Sequence, residues 1–175
     1  IVTGAGGGIG QAYAEALARE GAAVVIADIN VEGAQKVADG IKGEGGTALA
    51  LPVDVSDPAS AKEMADRALA EFGGIDYLVN NAAIFGGMKL DFLLTVDPEY
   101  YKKFMSVNLD GALWCTRAVY KQMAKRGGGA IVNISTFAAF EPDPAFPTSG
   151  VFRAGLASFA KQFADALAAA GVRMN

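Results

Sequence analysis

The residues best suited to chemistry stand at the head of the chain. Thr3-Gly4-Ala5-Gly6-Gly7-Gly8-Ile9-Gly10 places glycines at 4, 6, 7, 8 and 10. The strict G-x-G-x-x-G spacing fails because position 9 is Ile; the spacing met is G-x-x-x-G-x-G at Gly4, Gly8 and Gly10. Without Cβ atoms the backbone can turn sharply and lay its amides against a diphosphate. A helix opening at such a turn adds unpaired N–H groups and the positive end of its dipole. Such a run carries weight only between a strand and a helix. Here Ile1-Val2 is apolar and strand-like, and a helical pattern begins at Ile9. Further on, Asp28 closes an apolar stretch. A carboxylate there accepts hydrogen bonds from both hydroxyls of an adenosine ribose and repels a 2′-phosphate. No Lys or Arg stands in the glycine loop or beside Asp28, so NAD is expected rather than NADP.

Composition removes other chemistries. The 175 residues contain no histidine and one cysteine. A Ser-His-Asp triad, a Cys-His pair and a His-ligated metal are therefore excluded, and no metal site is expected. Any general acid must be a carboxyl, a hydroxyl, a lysine or water. Cys115 cannot form an internal disulfide and reads as a small core residue, which suits a reducing, cytoplasmic compartment. Net charge is −4, which argues against nucleic acid as a partner. No apolar run approaches the ~20 residues of a membrane helix.

The elements that must position these residues alternate. Strands are expected to end at Val2 and to cover 22–27, 47–53, 75–79 and 130–134. Helices are expected over 9–20, 31–42, 57–72, 97–126 and 149–170. Asp57-Pro58 and Asp97-Pro98 are start signals: Asp caps and Pro suits the first helical position. The helix from Asp97 is long, and Asn108, Asp110 and Gly111 predict a bend or break near Asn108 to Gly111. Gly127 to Gly129 read as its stop. Strand and helix in strict alternation with short links predict an α/β fold: a doubly wound, Rossmann-type parallel sheet in three α/β/α layers. One domain over 1–175 is expected, cut at both ends, because Ile1 starts inside a strand and Val172 to Asn175 reads as the opening of another. Ligands of such sheets bind outside the carboxyl ends of the strands.

Taken in order, TGAGGGIG, Asp28, Asp54-Val55, Asn80-Asn81-Ala82-Ala83, Asn108 in VNLDG and the strand AIVNIST resemble the short-chain dehydrogenase/reductase family, and the 3-oxoacyl-ACP reductase-like members in particular. The resemblance covers essentially the whole chain. It implies hydride transfer between a nicotinamide cofactor and a carbonyl or secondary alcohol. It implies that Gly4, Gly8, Ile9, Gly10 and Asp28 hold the cofactor, that Asp54 and Val55 meet the adenine, and that Asn81, Ala82 and Ala83 hold the central strand against it. The family more often has Gly where Ala83 stands. Taken alone, Asp54 and Asn81 read equally well as Asx turns.

The resemblance also implies four catalytic positions, three of them changed. Asn108 matches the family's asparagine and Thr136 its serine, with Ser135 beside it. The tyrosine and lysine of Tyr-x-x-x-Lys fall on Ser149 and Arg153. A phenol titrates near pH 10 and a nearby cation brings it within reach of neutrality; an aliphatic hydroxyl is a far weaker acid. Arg153 keeps the charge but stays protonated. Three readings follow, one of them an enzyme of different specificity whose acid lies in a missing C-terminal part; the other two are these. One is an oxidoreductase in which a water, linked through Asn108 and Ser149, delivers the proton while Arg153 stabilises an alkoxide. The alternative is an NAD-binding pseudoenzyme or regulatory protein. Arg153 could also pair with Glu141 or Asp143 at the surface. A small-molecule carbonyl or alcohol substrate is expected, with an apolar portion facing Ile84-Phe85-Gly86-Gly87-Met88. A homodimer or homotetramer is implied, formed through the helices of Asn108 and Arg153, where Phe104, Leu113, Trp114, Val151, Phe152, Phe159 and Phe163 lie.

Overall fold

The computed structural model describes residues 1–84, 92 and 94–175. Six parallel strands are ordered β3-β2-β1-β4-β5-β6 among these residues. They are β1 (Val2–Thr3), β2 (Ala23–Asp28), β3 (Thr47–Pro52), β4 (Tyr77–Asn80), β5 (Gly129–Asn133) and β6 (Val172–Met174). The helices between them are α1 (Gly8–Arg19), α2 (Val31–Gly43), α3 (Pro58–Phe72), α4 (Pro98–Met105), α5 (Gly111–Lys125) and α6 (Pro147–Leu167). This is the doubly wound sheet that the alternation predicts. The strand order reverses beside β1, which opens a crevice at the carboxyl ends of β1 and β4.

Both faces of the sheet are buried, and β2 shows how. Val24 and Ile26 pack on one side with Ala14 of α1 and Val37 and Ile41 of α2. Val25 and Ala27 pack on the other with Met64 and Ala68 of α3 and Cys115, Val119 and Met123 of α5. Alternate residues of one strand thus serve two cores, which is why it reads as an unbroken apolar run. Phe159 and Phe163 of α6 cover the second core, edge to face with one another.

The start signals work as expected. Asp57 accepts from Ala59 N, Asp97 accepts from Tyr100 N, and each is followed by Pro at the first helical position. Two expectations need correction. Gly129 is the first residue of β5, where it pairs with Val172, so the stop is Gly127 and Gly128, both at positive φ. The long helix does not break at Asn108; it widens into one π-turn over Ser106–Asp110 and continues as α5. Such a turn inserts a residue without ending the helix, and it commonly marks a functional position. Of the loop expected to face substrate, Ile84 is described and Phe85 to Met88 lie outside the described residues.

Candidate active site

The glycine loop joins β1 to α1 at the crevice. Gly4 has φ +63, and a Cβ there would stand 2.7 Å from the Ala82 Cα. The position therefore needs glycine twice, for its dihedral and for the approach of the segment after β4. Gly10 lies inside α1, where a Cβ would meet the Gly4 carbonyl oxygen at 2.2 Å. Its bareness lets the helix sit directly on the loop. Gly8 also has positive φ, with open space around it, and α1 begins there with no side chain capping its amides. Those amides and the dipole end remain open to an anion. Ile9 projects outward and is 65% exposed.

Asp28 ends β2 with its carboxylate held at both oxygens. Gly6 N donates to Oδ2 at 2.8 Å and Asn30 N donates to Oδ1 at 2.8 Å. The charge is thus fixed between the glycine loop and the start of α2. It lines a cavity of about 480 Å³ together with Ile29, Asp54, Val55, Ala82 and Lys103. Asp54 makes an Asx turn, accepting from Ser56 N at 2.9 Å and Ser56 Oγ at 2.6 Å. Val55 is buried against Gly111, where a Cβ would come within 2.7 Å of the valine methyl. The glycine of the VNLDG segment therefore makes room for the cavity wall.

Asn81 is not an Asx turn. Its Nδ2 donates to the carbonyls of Thr3 and Gly4, each at 3.0 Å. It therefore ties the end of β4 to the end of β1. Ala82 N donates to Thr3 Oγ1 at 3.1 Å. Ala83 tolerates its Cβ because no non-glycine residue among those described has positive φ.

Thr3 has a role that its place in the glycine motif does not announce. Its hydroxyl accepts from Asn81 N and Ala82 N and donates to Val79 O at 3.2 Å. A buried β-branched hydroxyl at the last position of a strand was the available signal. Asn80, Asn133 and Thr116 form a second link that no local pattern signals. Asn80 Nδ2 donates to Asn133 Oδ1 at 2.9 Å and to Thr116 Oγ1 at 3.3 Å. Register shows this pairing only after folding, since Asn80 and Asn133 are opposite one another on β4 and β5.

The four candidate catalytic residues divide. Asn108 and Arg153 line one narrow cleft beneath Asn81 to Ala83. Thr136 lies instead in an adjoining groove of about 490 Å³ with Ser135, Phe137, Phe140 and Leu156. Ser149 is half-buried on the first turn of α6, one turn ahead of Arg153. The side chain of Asn108 grips the peptide groups of Ile84: Ile84 N donates to Oδ1 at 2.8 Å and Nδ2 donates to Ile84 O at 3.4 Å. It makes no hydrogen bond to Ser149. Thr136 caps a short 3-10 turn, accepting from Ala138 N at 3.2 Å, so its hydroxyl proton is left for another oxygen.

Arg153 corrects one expectation outright. It forms no surface pair with Glu141 or Asp143; the ion pairs among the described residues are Lys62–Asp66, Arg126–Asp76 and Lys161–Asp165. The guanidinium is buried. Nη1 donates to Ile134 O, and Cζ stands 4.7 Å from the Phe152 ring centroid. Burial without a carboxylate pulls its pKa below the ordinary arginine value. The described residues contain no cluster of three acids, cysteines or histidines that could hold a metal.

Phe104 and Phe152 are interior side chains, whereas Val151 is exposed; Trp114, Phe159 and Phe163 are partly buried against the sheet. No helix among the described residues is long and apolar enough to cross a membrane.

Comparison with known proteins agrees with this geometry. A family model described as short chain dehydrogenase matches residues 1–175. An uncharacterised oxidoreductase of Mycobacterium tuberculosis is 63% identical over 175 residues, which is 100% of this chain and 69% of the relative. Two crystal structures superpose closely. Gluconate 5-dehydrogenase of Burkholderia cenocepacia, in complex with NADP and tartrate, gives a TM-score of 0.92 at 34% identity, covering 99% of this chain and 67% of that one. The 3-ketoacyl-(acyl-carrier-protein) reductase of Brucella melitensis, complexed with NADH, gives 0.91 at 34% identity, covering 98% and 71%.

Proposed function

The chain belongs to the short chain dehydrogenase family, and on that premise we propose that it is an oxidoreductase moving a hydride between NAD(H) and a small carbonyl compound or secondary alcohol. The observation that carries the choice of cofactor is the Asp28 carboxylate, held by Gly6 N and Asn30 N at the edge of the 480 Å³ cavity. Each oxygen keeps a lone pair for a ribose hydroxyl, and the charge repels a 2′-phosphate. The solved relatives include both an NADP and an NADH complex, so the preference rests on this residue and not on kinship.

The residues present fit a dinucleotide. The bare backbone at Gly4, Gly8 and Gly10 and the uncapped start of α1 would receive the diphosphate. Asp54 and Val55 would border the adenine; Ile9, Asn81, Ala82 and Ala83 would border the rest. When bound, NAD supplies the hydride acceptor or donor. The chain's own part is to orient a substrate oxygen and handle one proton. Thr136 donates its hydroxyl proton in a hydrogen bond to that oxygen. Arg153 stabilises negative charge developing on it, where low dielectric strengthens the effect. Ser149, one turn ahead of Arg153 on α6, would pass the proton, and as a weak acid it would act through water. Asn108 holds Ile84 in place at the wall of the 480 Å³ cavity. The protein is read as a cytoplasmic homodimer or homotetramer assembled through the surfaces of α4–α5 and α6.

Calorimetric titration with NAD and with NADP tests the cofactor. NAD is expected to bind, with NADP at least tenfold weaker. A screen of ketones and secondary alcohols, followed at the nicotinamide absorbance, tests the chemistry. No heat with either nucleotide sinks the proposal. Binding by the full-length protein without turnover across the panel moves it to a nucleotide-binding role.

A further inference from the structure

The cleft between β4 and α6 holds two unmet hydrogen-bonding demands of opposite sense. Among the described residues, the buried side-chain atoms without a partner are Asn80 Oδ1 and Arg153 Nε. One accepts and the other donates. Both residues line the same cleft, and both are more than nine-tenths buried, at 7% and 8% exposure.

Main-chain polarity fixes which way the Asn80 amide points. The carbonyl of Asn175 accepts from Asn133 N at 2.7 Å and from Asn133 Nδ2 at 3.2 Å. A carbonyl can only accept, so Asn133 turns its amino group to Asn175 and its Oδ1 to Asn80. Asn80 must then present Nδ2 to Asn133, with Thr116 Oγ1 as second acceptor. Its Oδ1 is left as the orphan. Arg153 is fixed as firmly, by Ile134 O at Nη1 and by the Phe152 ring.

A buried donor or acceptor left unmet is costly, so two in one cleft call for an occupant. An anion would suit the guanidinium and be repelled by the amide oxygen; a cation would meet the reverse. Water satisfies both, accepting from Nε–H and donating to Oδ1. The free space in the cleft is about 10 Å³, close to what a single water centre needs. We propose that this cleft is a binding site for one buried water, bridging Arg153 Nε to Asn80 Oδ1 and so tying α6 to the end of β4. With Nη1 on Ile134 and Nε on the water, the Nη2 edge of Arg153 is what remains for an incoming oxygen. The site goes beyond the nucleotide reading and stands or falls separately from it.

A crystal structure of the protein, at a resolution that orders waters and without nucleotide, tests the site directly. The expected result is one density peak within hydrogen-bonding distance of both atoms. An empty cleft, or a direct Arg153–Asn80 bond, overturns the proposal. Magnetic relaxation dispersion of water nuclei counts long-lived internal waters in solution. Arg153→Met removes the donor and keeps an apolar side chain of comparable length, so its count is expected to fall by one from wild type. An unchanged count overturns the proposal as well. Should the variant fail to fold, the wild-type density decides alone.

Discussion

At the scale of the residue, Asp28 does two jobs that one substitution separates. Its two oxygens are each engaged by a backbone amide. Asn at this position keeps one acceptor and turns an amino group toward one of those amides, donor against donor. Charged hydrogen bonds contribute about 1.5–3 kcal/mol each. Asp28→Asn is therefore expected to weaken NAD binding about tenfold or more, a change of ~1.4 kcal/mol. It should also narrow the gap to NADP, since the repelling charge is gone. Parallel titrations of wild type and variant with both nucleotides check this, and an unaltered NAD affinity would remove Asp28 from the site. Ser149 and Arg153 belong to the same scale. The resemblance implies that a hydroxyl and a guanidinium stand where the family has a phenol and an ammonium, but not where the guanidinium goes. Its burial against Ile134 O follows from α6 packing across the end of β5.

At the scale of the element, the junction of β1 with α1 depends on closeness. Helix propensity alone favours Ala over Gly by about 1 kcal/mol inside a helix. At Gly10 the clash decides instead, because an added Cβ meets the Gly4 carbonyl at 2.2 Å and the Ala5 Cα at 2.9 Å. Neither is a movable side-chain end, and overpacking costs typically ~1–3 kcal/mol, sometimes more. Gly10→Ala is expected to lower Tm by several degrees and to abolish nucleotide binding. Gly7→Ala is the control: an added Cβ there meets nothing within 4 Å and φ is 170, which is extended backbone. Its Tm should stay within about a degree of wild type, since unencumbered surface changes cost no more than ~0.5 kcal/mol. Equal thermal melts for the two variants would contradict the packing drawn here. The π-turn is the other element-level feature. Asn108, Asp110 and Gly111 signal a disturbance in the helix, but the signal does not say whether the chain stops or widens. The structure widens, which keeps α5 on the sheet and delivers Asn108 to Ile84.

At the scale of the whole molecule, the larger core surrounds Cys115. The thiol is fully buried between α5 and the sheet, and burial pushes its pKa up to about 12 from 9.0. The folded protein thus keeps its proton at a pH where the unfolded chain has lost it. Stability from this group is complete below about pH 9 and is lost as pH rises toward about 12. Cys115→Ala is expected to flatten that alkaline fall in stability, at the cost of a small cavity, and chemical denaturation at pH 8 and pH 10.5 measures it. Native protein should resist thiol reagents until it unfolds; rapid modification under native conditions would contradict the burial.

The sequence by itself determined the architecture, because period and punctuation are local. Apolar runs such as Ala23 to Ala27 and the Asp-Pro starts at 57 and 97 specify strands and helices from neighbouring residues alone, and alternation then leaves one economical sheet. It also brought Gly4, Gly8, Gly10 and Asp28 forward, since a turn before a helix and a carboxylate at a strand end are written in adjacent positions. Only the tertiary structure decided what spans the sheet. Thr3 tying β1 to β4, Asn80 facing Asn133, Asn81 leaving its own turn for the carbonyls of Thr3 and Gly4, and Arg153 turning inward all rest on contacts between distant segments. Polar side chains have no periodicity to announce them. Their partners are set by register and by what burial forbids them to leave unmet, and neither exists until the strands lie side by side.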